Sequence, residues 1–283
     1  MKSRWIKTAL AGLVCAGLLS GCAVRFVYNQ LDWLIPWYLD DYIELEGPQK
    51  AQFRTRLEAY LTWHRHEQLP QYADFLEQVA TQAEQGLSEA DVASIQVRTQ
   101  QLAQVLVDKL QPDMLDLFAM ATDEQVDGLF ERFAEDNETY RKDVLALSAK
   151  EQRKQRAKEA RHYAERWTGS LNKQQRQLIE DWSQNYAIMG DEWLETQLIW
   201  QQEFRRVLAL RHDRTAYDAA FKHLLAHPEF GRSEVLEQKL AHNESAVIQL
   251  YLHLDQSLTK EQRAHMVKKL RSYADDFRSL AKQ

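Results

Sequence analysis

The amino-acid sequence predicts an all-α fold, a bundle of about ten helices. Three observations carry that expectation. Apolar residues recur at helical spacing through every long segment. Gly and Pro are scarce, at 9 and 5 in 283 residues, and no run alternates β-branched and polar residues as a strand would. A short signature also recurs along the chain: an apolar residue, a capping residue, two more residues, then Gln, Glu or Asp. It stands at Leu87-Ser88-Glu89-Ala90-Asp91, Ala121-Thr122-Asp123-Glu124-Gln125 and Leu147-Ser148-Ala149-Lys150-Glu151. It returns at Leu171-Asn172-Lys173-Gln174-Gln175 and Leu258-Thr259-Lys260-Glu261-Gln262, with a degenerate copy at Leu45-Glu46-Gly47-Pro48-Gln49. The Ser, Thr or Asn accepts from orphan amides at a helix start, and the acidic or amide side chain three residues on reaches back to the cap's own N–H. The copies are unevenly spaced, which excludes a fixed-period solenoid.

The elements follow in order. A helix over 24–45 carries the stripe Leu31, Ile35, Tyr38, Tyr42 and Leu45, with Pro36 set to kink it. The next, 48–68, has Phe53, Leu57, Tyr60, Leu61 and His64 on one face, and 71–85 has Tyr72, Leu76, Val79 and Ala83. Gly86 fits a helix stop. Helices at 88–110 and 113–121 are separated at Pro112. Val126, Phe130 and Phe133 define 122–146, and Gly169 stops a helix over 148–168. The stretch 172–211 has no Pro and a single Gly, Gly190, and reads as one helix of about 60 Å. After 214–226, Pro228 and Gly231 mark a connection to 233–257. The last helix, 259–281, shows Met266, Leu270, Tyr273, Phe277 and Leu280. A weak lobe boundary falls near Gly169.

The N-terminus is set apart from this fold. Lys2, Arg4 and Lys7 precede an apolar run from Thr8 to Leu19, too short to span a bilayer and typical of a signal peptide. Leu19-Ser20-Gly21-Cys22 resembles the lipobox of bacterial lipoproteins. The resemblance implies a signal peptide over 1–21 and a mature all-helical periplasmic domain over 22–283. It also implies a Cys22 that carries a diacylglyceryl group and an N-linked acyl chain such as palmitate. Ala23, where inner-membrane lipoproteins usually carry Asp, points to the outer membrane, facing the periplasm. Three chains exceed what stable anchoring needs.

Composition narrows the partners. Removing the three basic residues of the signal peptide leaves 33 Lys and Arg against 42 Asp and Glu, a net charge of −9. That balance argues against nucleic acid and against broad adhesion to anionic lipid. Cys15 leaves with the signal peptide, so the mature chain has no thiol beyond Cys22 and no disulfide. Partners are therefore the membrane, through the anchor, and an envelope protein.

The lipobox combined with "YNQLDWLIPWYLDDY", Tyr28 to Tyr42, and an all-helical chain resembles a family of uncharacterised proteobacterial lipoproteins, domain of unknown function 6279. The resemblance covers essentially the whole chain and brings no activity, cofactor or catalytic residue. The signature copies, complete as L-[ST]-x-x-Q only at Leu258 to Gln262, more distantly resemble the motif of the Spy and CpxP periplasmic chaperones.

Several residues are candidates for binding. Trp33 and Trp37 sit i, i+4 beside Tyr38, with Asp40 and Asp41 on the polar side. The aromatic side of this segment is expected to complete the core; a bilayer contact or a ligand groove are the alternatives. Adjacent carboxylates on a helix diverge, so Asp40 and Asp41 form no catalytic dyad. Lys150, Arg153, Lys154, Arg156, Lys158, Arg161 and Arg166 form a basic stretch in an acidic chain: a solvated face, or a docking surface for an acidic partner, peptidoglycan or lipid phosphate. His64 and His66, at i, i+2, cannot share a metal on one helix face. His223 and His227, at i, i+4, could, but lack a third ligand nearby. No metal, cofactor or catalytic residue is therefore expected, and none of the nucleotide-binding, zinc-protease or serine-hydrolase motifs is present. The function expected is a lipid-anchored helical binding or scaffold protein of the cell envelope. The alternatives are a carrier of a hydrophobic ligand and an envelope enzyme with an unrecognised site.

Overall fold

Each predicted cap is a helix start. Ser88, Thr122, Ser148, Asn172 and Thr259 accept from the backbone N–H three residues on, and the side chains of Asp91, Gln125, Glu151, Gln175 and Gln262 reach back to the cap amides. The degenerate copy behaves alike, with Glu46 and Gln49 closing a sixth capping box ahead of Pro48. These local bonds satisfy the orphan donors of each first turn and fix where the helices begin.

The computed structural model describes residues 21–283, and their side chains from Val24 onward. The helices run α1 (Gly21–Tyr28), α2 (Leu31–Leu39), α3 (Gly47–Trp63), α4 (Leu69–Gln85), α5 (Glu89–Ala119), α6 (Asp123–Tyr140) and α7 (Ala149–Thr168). They continue as α8 (Lys173–Asn185), α9 (Gly190–Ala209), α10 (Arg214–Ala226), α11 (Glu234–Gln256) and α12 (Lys260–Ala281). No strand occurs among the described residues.

Four boundaries differ from expectation. The helix expected over 24–45 is α1 and α2, broken at Asn29–Gln30, and the chain leaves α2 at Asp40. Asn29 is held outside the helix by Gln283 and Arg65, and Pro36 sits within α2. The expected gap between 68 and 71 is closed by a π turn, His64–Gln68. Pro70 has no N–H to give the carbonyl four residues back, and the Leu69 N–H reaches five back to His64 instead. The helices expected at 88–110 and 113–121 are one, α5, which runs through Pro112. The Tyr60 hydroxyl donates to the Lys109 carbonyl on the turn that Pro112 loosens.

The fourth correction concerns 172–211, which is two helices and not one. The link is extended at Tyr186, and a side chain from α11 holds it there. Asn243 accepts from the Ala187 N–H and donates to the Ala187 carbonyl, both at 2.9 Å. Gly190 then opens α9 against the second π turn, Arg141–Leu145. A Cβ on Gly190 would lie 2.7 Å from Leu145 Cδ2, so a larger residue there requires the Leu145 side chain to shift.

Three apolar clusters form the interior. The largest joins Ile43 and Leu45 to α5, α6, α9 and α10 through Leu115, Val126, Phe204, Tyr217 and Phe221. A second lies between α4 and α12, where Ala80 and Ala83 let the helices close on Val267 and Leu270. The third packs Ala157 of α7 with Leu171, Ile179 and Leu250. α1 is fastened to α12 by the Arg25–Asp276 ion pair at 2.6 Å.

Candidate functional site

α2 lies on α3 as a ridge between two clefts. Leu31 and Ile35 face one; Asp32, Trp33, Pro36, Trp37 and Asp40 face the other. Leu57 and Leu61 of α3 line both, so the clefts share a floor.

The first cleft is an apolar cavity of about 370 Å³ closed on its far side by α5. Phe53, Trp63, Leu106, Leu110, Met114 and Leu117 are among its apolar wall residues. Its polar groups gather at Asp113, which accepts from the Tyr60 hydroxyl and lies 3.4 Å from Arg56 Nε. Burial, helped by Asp113, raises the Tyr60 pKa above its ordinary value. At the other end, His64 Nδ1 lies 2.9 Å from the Tyr28 hydroxyl. Burial lowers the His64 pKa, which favours the neutral imidazole. The π turn that begins at His64 thus opens directly onto the cavity.

The second cleft, about 730 Å³, is polar and aromatic. Trp33 and Trp37 stack on each other, centroids 5.7 Å apart and planes 14° apart. Lys50, Arg54, Glu58 and Arg65 face them from the α3 side. The Arg65 guanidinium also covers the Tyr28 ring, at 4.9 Å from the centroid.

The expectation that Trp33 completes the core is overturned. Trp33 is 52% exposed, Phe26 68% and Tyr38 61%, and α2 has no buried residue. The core residues of this region come next in the chain, Ile43 and Leu45, where it has left the helix. Tyr38 rests on Tyr42, whose hydroxyl donates to Asp136 on α6. Asp40 is exposed and Asp41 half-buried, beyond the end of α2.

The basic stretch lies on α7, remote in sequence from these clefts. Arg161 is paired with Glu180 at 3.0 Å, and Arg156 covers the Tyr186 ring at 4.1 Å. Arg156 also borders a cavity of about 330 Å³ with Tyr140, Gln152 and Trp193. Arg153 is half-buried. The structure therefore does not bring Arg153, Arg156 and Arg161 together with Trp33 and Trp37 at one site. Cys22, the predicted acylation position, lies outside the described side chains.

The His223 and His227 rings are 4.4 Å apart, and His227 faces Glu229 at 3.0 Å. Among the described residues no group of three or more His, Cys, Asp or Glu converges as a metal site, and no helix is long and apolar enough to cross a membrane.

Sequence reasoning missed Lys50, Arg54, Tyr60, Asp113 and Met114. Lys50, Arg54 and Glu58 recur at i, i+4, i+8 and could have been seen as a polar stripe. The α5 residues carry no such signal, because only tertiary packing sets them opposite Phe53 and Leu57.

No curated protein and no solved structure matches the chain. Residues 41–234, well over half of its length, match a family of unknown function (DUF6279). The stretch covers α3 through α10, including the α3 and α5 walls of the apolar cavity, and on it the chain belongs to the DUF6279 family.

Proposed function

We propose that the protein is a lipid-anchored binding protein of the cell envelope. In this reading acylated Cys22 holds it at the periplasmic face of the outer membrane, and the cavity between α2, α3 and α5 takes an apolar ligand. It is a binding protein and not an enzyme. The observation that carries the reading is the cavity itself. Its volume of about 370 Å³ falls in the range of small-molecule sites, and eleven of its sixteen lining residues are Leu, Ile, Phe, Trp or Met. Methionines such as Met114 and Met120 adapt to varied apolar shapes. The scaffold reading has its own support: Ile35, Leu110, Met114 and Met120, which line the cavity, are themselves exposed, an apolar surface suited to a protein partner.

The test is binding of N-phenyl-1-naphthylamine to the full chain. Leu110→Trp fills the cavity and should abolish the fluorescence gain without lowering the melting temperature. An unchanged gain would refute the cavity as the site. Anchoring is read separately: Cys22→Ser should lose acyl labelling and release the protein from membranes, and a mutant that still labels and sediments would refute it.

A further inference from the structure

The polar cleft beside α2 is built from two opposed stripes. α2 presents Asp32, Trp33, Trp37 and Asp40, and α3 presents Lys50, Arg54 and Glu58. Arginines elsewhere in the fold close onto carboxylates, as in Arg132–Asp136, Arg161–Glu180 and Arg263–Asp255. Among the described residues Lys50 and Arg54 reach no carboxylate, although Asp32 and Asp40 line the same space. Charges of both signs are thus held apart across a gap of about 730 Å³. Such a gap suits a guest that carries both signs itself. The exposed Trp33 indole, stacked on Trp37, offers a π face to an ammonium group. Lys and Arg suit a phosphate. Leu57 and Leu61 line both the cleft and the apolar cavity, so a headgroup in the cleft lies next to a space that suits an acyl chain.

We propose that the cleft binds the headgroup of a zwitterionic phospholipid, with its phosphate on Lys50 and Arg54 and its ammonium against Trp33 and Asp40. One acyl chain then occupies the cavity beyond Leu57 and Leu61. This inference rests on the apolar-ligand reading of that cavity. A bilayer source, in preference to a free phosphoamine, follows from where the cleft sits. α1 is pinned to the body by Arg25–Asp276, not hung on a linker. With Cys22 acylated, the start of α2 stays within about 20 Å of the anchor.

Native mass spectrometry of the full chain, released from a mild detergent, tests the proposal. The probes are dimyristoyl phosphatidylethanolamine, dimyristoyl phosphatidylglycerol, dimyristoylglycerol and glycerophosphoethanolamine. The phosphatidylethanolamine adduct should exceed the dimyristoylglycerol adduct about tenfold, the worth of one charge-assisted hydrogen bond. Arg54→Gln and Asp40→Asn, both at exposed positions, should each remove that advantage and leave the dimyristoylglycerol adduct in place. Leu110→Trp should remove both. Equal binding of the two lipids, or an advantage that survives Arg54→Gln, would overturn the headgroup site and leave the cavity reading standing. Equal binding of phosphatidylglycerol would reduce the cleft to an anion site. Binding of glycerophosphoethanolamine as strong as that of the lipid would refute a bilayer source. If no lipid binds, the cavity reading fails as well.

Discussion

Gln175 and Gln262 meet amide to amide in the interior. Nε2 of each donates to Oε1 of the other, at 2.8 and 3.0 Å. Each Oε1 also accepts from its own helix cap, Asn172 N–H at 2.9 Å and Thr259 N–H at 3.0 Å. The second proton of each Nε2 goes to a carbonyl, Ser257 or Ser170. Every donor and acceptor of both amides is used, and two capping boxes are locked together. Gln49 and Gln125 repeat the arrangement between α3 and α6, at 2.8 and 2.9 Å. The recurring signature therefore does more than start helices, because its glutamines join helix starts in pairs.

Removing one amide strands the other in a buried site. Gln262→Ala should cost about 2–3 kcal/mol, and Thr259→Ala, which loses only the cap, about 1 kcal/mol. A double-mutant cycle of Gln175→Ala with Gln262→Ala, read by chemical denaturation, should show coupling of about 1–2 kcal/mol. Strict additivity would mean that the two amides do not pair.

Asp255 ties three elements together. Its carboxylate is buried, accepts from Arg263 Nη1 at 2.8 Å, and accepts from the Leu87 N–H at 2.9 Å where the chain turns at Gly86. Gly86 has φ of +89°, a conformation that side chains resist. Asp255→Ala leaves Arg263 only the Ala83 and Asp255 carbonyls and the Leu87 N–H no acceptor, and should destabilise by about 3 kcal/mol. Arg263→Met with Asp255→Leu should be milder than either single change, as measured by thermal melting.

Helix starts were legible because capping is local: Thr122 and Gln125 are three residues apart, and their chemistry needs nothing else. The break at Tyr186 was not, since Asn243 imposes it from 56 residues away and Gly190 alone does not stop a helix. Pro112 misled in the opposite direction, because tertiary packing keeps α5 continuous through it. For the site, apolar periodicity in α2 reads the same whether the stripe is buried or exposed. Trp33 was therefore legible as a surface residue only once α3 and α5 were placed around it.

His64 predicts a pH dependence. Burial lowers its pKa below the ordinary value of 6.5. As pH falls through that value the unfolded chain takes up a proton that the folded chain does not. Stability therefore declines from about pH 7 downward, and levels off once the folded pKa is passed. Depressed carboxylates such as Glu192 act in a lower window, losing their contribution as pH falls below the ordinary 4.5. His64→Gln should flatten the slope between pH 7 and 5 in denaturation series. An unchanged slope would show that the imidazole is not the group responsible.

Trp33 and Ile43 stand ten residues apart and should respond very unequally to truncation. Ile43 is 3% exposed within the largest apolar cluster, and Ile43→Ala should cost about 2–5 kcal/mol. Trp33 keeps 52% of its surface in solvent on a helix without a buried residue, so Trp33→Ala should cost about 1 kcal/mol or less. Its indole should also be open to acrylamide when no lipid is present and shielded when phosphatidylethanolamine occupies the cleft. Melting curves of the two variants, with quenching of the protein that keeps Trp33, separate the roles. If Trp33→Ala destabilises as much as Ile43→Ala, α2 packs into the core and the cleft beside it is closed. If Trp33→Ala keeps stability while binding of phosphatidylethanolamine is lost, the tryptophan serves recognition, and the large apolar side chain on this surface is explained by its ligand and not by the fold.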